Sequence, residues 1–141
     1  MLRQFACGGG VNLINIAIHS LVMAIVVRVA QLAAAKPTTH PSLYLAGVMI
    51  PIVAVLMATH TLEILVWSLA YALVDAAPDG ADLVYFAFVN YTTLGYGDIV
   101  PSARWRLLGP ITAMNGVLLF GWSTAVIFDV LRRTLARGAM G

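Results

Sequence analysis

Three stretches of this chain are each long and apolar enough to cross a lipid bilayer, and nothing else in the sequence limits the fold so strongly. They cover residues 11–35, 43–74 and 107–131. A spanning α-helix needs about 20 mostly apolar residues, and in hydrocarbon only helices or closed barrels satisfy their own backbone. Charged residues make up 10% of the 141, and 61% are hydrophobic. A soluble domain carries roughly 25% charge, so this chain has too little polar surface to face water. The expected fold class is an all-α membrane protein with three transmembrane helices. A single cysteine, Cys7, rules out an intrachain disulfide. The net charge of +2 comes from scattered basic residues, which form no nucleic-acid surface. His19, His40 and His60 are dispersed, with no metal cluster, nucleophile or phosphate loop in the sequence, so no enzyme is expected.

The connections between the apolar stretches differ in kind. Residues 36–42 form a short polar turn with two prolines, Pro37 and Pro41. The second stretch is longer than a bilayer requires, with Pro51 expected as a first-turn or kink residue. The segment between the second and third stretches opens with a loop, Asp75-Ala76-Ala77-Pro78-Asp79-Gly80. Residues 82–92 then read as a short helix capped by Asp82 and too short to span. A glycine-containing strand follows it. Such a segment between two spanning helices has the pattern of a re-entrant loop, since irregular backbone at membrane depth must be buried in protein or line water. With that loop outside, Arg132, Arg133, Arg137 and Lys36 fall inside, which agrees with the bias of basic residues toward the cytoplasm. Arg104 and Arg106 count the other way. A signal-peptide reading of the first stretch is disfavoured because its apolar run exceeds the ~7–15 residues of a signal core and carries His19 and Arg28.

The strand is Thr92-Thr93-Leu94-Gly95-Tyr96-Gly97-Asp98. It resembles the signature of the potassium channel pore-domain family, Thr-Val-Gly-Tyr-Gly-Asp, with Leu94 in place of valine. The resemblance covers residues 43–141: outer helix 43–74, pore helix 82–92, filter 93–97 and inner helix 107–131. Residues 1–42 lie outside it, as an extra transmembrane helix and turn. It implies a homotetramer in the plasma (inner) membrane, conducting K+ passively through one fourfold pore. In that arrangement the carbonyls of Thr93, Leu94, Gly95 and Tyr96, with the Thr93 hydroxyl, replace the hydration shell of K+ ions. Gly95 and Gly97 supply positive φ. Leu94 and Tyr96 are expected to pack the filter against its pore helix. Gly97, Asp98 and Tyr85 are expected to support it, with the Tyr85 hydroxyl donating to Asp98. Val89 stands where some relatives carry a glutamate, so no shared-proton carboxyl pair with Asp98 is expected. The alternative reading is a non-conducting or accessory membrane subunit of a potassium transport system.

Two readings stand for Gly116, a hinge in the inner helix or a close-packing glycine. Val117, Phe120 and Thr124 share a helix face and are candidates to line the cavity. His60, Glu63 and Trp67 share a face of the second helix. Intramembrane ionisable groups usually face a partner, and Arg28 and His19 are the candidates on the first helix. Packing the extra helix onto the pore domain is the preferred role for His60, Glu63 and Arg28, with proton sensing the alternative. A single arginine in the first helix excludes a voltage sensor, which needs ~3–4 gating charges per subunit.

Overall fold

A computed structural model describes residues 1–33 and 40–138. The turn at 36–39 and the end of the first stretch at Ala35 fall outside the described residues, as does the Arg137 side chain. Helix α1 spans Leu2–Ala33, α2 Pro41–Val74, α3 Leu83–Tyr91 and α4 Leu108–Gly138, with a 3-10 turn at Ala103–Trp105 between the last two. Among the described residues no β-sheet forms, the strand of residues 92–98 being irregular backbone, and three helices are long and apolar enough to cross a membrane. The protein is therefore a multi-pass membrane protein. The nine residues of α3 rise about 13 Å, too little to span.

Local chemistry explains most of these boundaries. Pro41 opens α2 at its first turn, where a missing N–H costs nothing. Asp75 ends it with φ 50° in the left-handed region, a conformation that aspartate tolerates better than most residues. Because α2 starts ten residues before Pro51, that proline lies inside a continuous helix and is not a first-turn residue. The first helix also begins earlier than its apolar stretch, taking in Gln4 and the glycines Gly8, Gly9 and Gly10. Neighbours explain this extension. Leu107 donates its backbone N–H to Gln4 Oε1 at 2.8 Å, so the start of α1 caps the approach to α4. Gly8 lies so close to Ile111 that an added Cβ would come within 2.8 Å of its side chain.

Helix α1 packs against α2 and α4 of its own chain, parallel to α4. The buried contacts fall into three levels along the helix axes. One apolar cluster joins Val11, Trp67, Tyr71, Phe86, Tyr91 and Leu108 near the α3 end. A second joins Met23, Val26, Ile52, Leu56 and Val130 at the opposite end. Between them lies a polar level of Asn15, His19, Glu63, Asn115 and Ser123, all buried. In a bilayer, lipid tails compete equally for apolar contacts, so interhelical hydrogen bonds and close packing hold helices together. Here the polar level lies between two apolar clusters, within helices long enough to span, and its bonds join α1 to α2 and α4.

Candidate functional site

The strand after α3 is held from behind by the helix itself. Asp82 caps α3, its Oδ1 accepting the N–H groups of Val84 and Tyr85 at 3.0 Å each. At the other end the Val89 carbonyl accepts from Leu94 N at 3.0 Å and Gly95 N at 3.4 Å. The chain thus folds straight back over the last turn of α3. Thr93, Gly95 and Gly97 have φ of 60°, 59° and 80°, whereas Leu94 and Tyr96 are not in the positive-φ set. Alternation in the sign of φ is the kind of backbone that turns successive carbonyls to one side. Left-handed φ at Thr93, a β-branched residue, costs of order 1–3 kcal/mol. The motif had pointed to positive φ only at the glycines.

The Tyr85 hydroxyl donates to Asp98 Oδ2 at 2.7 Å. That bond holds the Asp98 carboxyl below the usual carboxylate range and pushes the Tyr85 phenol up. Residues 92–98 are otherwise exposed. Within the single chain Leu94 is 54% and Tyr96 69% exposed.

Helix α4 runs past the end of α3 at close range. A Cβ on Gly116 would stand 2.0 Å from the Tyr91 carbonyl oxygen, so close approach alone requires this glycine. Val117 and Thr124 are exposed and Phe120 is half-buried. The Phe120 ring lies 4.6 Å from His60 and 5.4 Å from Tyr91, over the polar level.

Behind α3, the polar level ties all four helices together. Glu63 Oε1 accepts from His19 Nδ1 at 2.9 Å, and Oε2 lies 2.9 Å from His60 Nδ1 and 2.5 Å from the Tyr91 hydroxyl. Both imidazoles turn their second nitrogen to Ser123 Oγ, at 3.0 Å for His60 and 3.4 Å for His19. One turn away, Asn115 Oδ1 accepts from Asn15 Nδ2 at 2.9 Å and Trp67 Nε1 at 3.0 Å. Arg28 takes no part. It is exposed and nine residues along α1 from His19, about 13 Å of helix rise, so from α1 His19 meets the Glu63 carboxylate and Asn15 Nδ2 donates to the Glu63 carbonyl at 3.2 Å. The expectation of dispersed histidines is also corrected, since His19 and His60 converge on one carboxylate. Asn15, Tyr91 and Ser123 were not singled out from the sequence. Asn12, Asn15 and His19, at spacings of three and four, were the signal for a polar stripe on α1.

The family model described as "Ion channel" matches residues 59–133. That span runs from the polar face of α2 through α3 and the strand to the positively charged end of α4. No curated protein and no solved structure matches the chain.

Proposed function

The chain belongs to the ion channel family, and from that premise we propose that it is a potassium channel in which four copies surround one pore in the plasma (inner) membrane. Ion conduction follows from the family; selectivity for K+, the permeating substrate, rests on the strand. One observation carries it: φ is positive at Thr93, Gly95 and Gly97 in a strand that is exposed along its length. Irregular backbone cannot face lipid, so the strand needs copies of itself around it and water along it. Four strands would stack rings of carbonyls from Thr93, Leu94, Gly95 and Tyr96, which replace the water lost by K+. The Thr93 hydroxyl would add the innermost ring. Exposed Leu94, Tyr96 and Val117 would then be covered by neighbouring subunits.

Flux from purified protein in liposomes tests this reading, comparing potassium, rubidium and sodium gradients. The expected outcome is potassium and rubidium flux that excludes sodium and disappears in Gly95→Ala, where φ of 59° is strained for alanine. Equal sodium flux would overturn the selectivity. A tetramer that conducts no ion under any gradient would favour the accessory-subunit reading.

A further inference from the structure

We propose that His19, His60 and Glu63 form a binding site for a divalent transition metal, zinc being the best match, at mid-membrane between α1 and α2. One ligand atom from each of His19, His60 and Glu63 lies within 4.8 Å of the other two, and both Nδ1 atoms face the Glu63 carboxylate at 2.9 Å. Around zinc, with bonds of about 2.1 Å, tetrahedral ligands stand roughly 3.4 Å apart. Closing the trio by at most about 1.4 Å is within the reach of side-chain torsions. Imidazole and carboxylate donors suit zinc and cobalt better than calcium or magnesium, which take oxygen alone. The Tyr91 hydroxyl, 3.1 Å from His60 Nδ1, donates to Glu63 Oε2 and would hold that carboxylate in place from behind.

The hydrogen-bond count supports the same conclusion. A neutral imidazole carries one N–H. If both histidines donate from Nδ1 to Glu63, both Nε2 atoms need a donor, yet each faces the one hydroxyl of Ser123. Ser123 can supply one hydrogen, so one buried nitrogen is left facing a lone pair. A metal bound at the two Nδ1 atoms removes the conflict. Each ring then carries its hydrogen on Nε2, and both donate to the two lone pairs of Ser123 Oγ. Metal-ligating histidines are commonly fixed through their other nitrogen in this way. A single proton would also close the ring, but a proton store needs one imidazole and one carboxylate. Here a second imidazole is brought from a separate helix with the same anchor behind it. Access is through His60, whose side chain is 12% exposed while those of His19 and Glu63 are fully buried.

Cobalt is the probe. The full chain, stripped with chelator in detergent, is titrated with Co2+ and read by visible absorption and by bound metal per chain. The expected result is one Co2+ per chain with the intense d–d bands of tetrahedral coordination, displaced by Zn2+. His60→Gln and Glu63→Gln should abolish the bands, and Ser123→Ala should weaken binding by about 10–100-fold. Ser123→Ala is the smallest of these changes and keeps the proposal testable if the other variants misfold. Folded wild-type protein that takes up no stoichiometric cobalt would overturn the proposal. So would cobalt bands unchanged in the folded variants, which would put the metal elsewhere. The readout does not involve ion flux, so its failure and that of the channel reading are separate.

Discussion

Alanine substitution at Gly116 of α4, with Gly8 and Gly10 of α1 for comparison, sets the close-approach reading of Gly116 against the hinge reading. The new Cβ at Gly116 would meet the Tyr91 carbonyl oxygen at 2.0 Å. Carbon and carbonyl oxygen normally approach to about 3.3 Å, so α4 and the end of α3 would have to separate by about 1.3 Å. Both obstacles are backbone, and no rotamer change relieves the clash. Overpacking costs typically 1–3 kcal/mol and occasionally more, whereas alanine in place of helical glycine contributes only about 0.5–1 kcal/mol in return. The net expectation is a loss of about 2 kcal/mol. Gly10→Ala is the matched control, since a Cβ there meets nothing within 4 Å, and it should be neutral or stabilising. Gly8→Ala falls between the two, because its obstacle is the movable Ile111 side chain at 2.8 Å. Thermal unfolding of the detergent-purified protein should give the order Gly10, Gly8, Gly116 from most to least stable. A Gly116→Ala protein that melts with Gly10→Ala would refute the steric argument, and a gating defect at normal stability would return the hinge.

Two further outcomes follow from hydrogen bonds. The Tyr85 hydroxyl holds Asp98 below its ordinary range, so whatever ionised Asp98 contributes is present above that range and lost as pH falls through the lowered value. Tyr85→Phe should move the acid loss of potassium flux to higher pH, and an unchanged acid midpoint would remove Asp98 from the support of the strand. Asn115→Leu strands the Asn15 and Trp67 donors together. At about 0.6 to 1.7 kcal/mol per interhelical bond in membranes, unfolding should be roughly 1–3 kcal/mol easier, and wild-type stability would mean that the two donors find other partners.

How far the sequence could be read depended on distance along the chain. The Asp82 cap and the positive φ at Gly95 and Gly97 follow from capping and glycine chemistry close in sequence, whereas the Tyr85–Asp98 bond was implied by the resemblance to the potassium channel pore domain. The polar level depends on the register of α1 against α2 and α4. All three helices are apolar nearly all round, so periodicity marks no preferred face, and the choice between Arg28 and His19 had to wait for the fold. The contact of Phe120 with His60 was hidden for the same reason, since it depends on how α4 meets α2. The left-handed φ at Thr93 breaks the rule that reserves that region for glycine, and a rule about glycine could not find it.

The polar level also has a consequence for how the protein is made. The first helix leaves the ribosome with Asn15 and His19 at the middle of its span. Their partners lie far downstream: Glu63 is 44 residues later than His19, and Asn115 is 100 residues later than Asn15. At roughly 5–20 residues per second, α1 must wait about 5–20 s with those amide and imidazole groups unmatched. The polar level is complete only once α4 has been made, so this part of the fold closes in the order of synthesis.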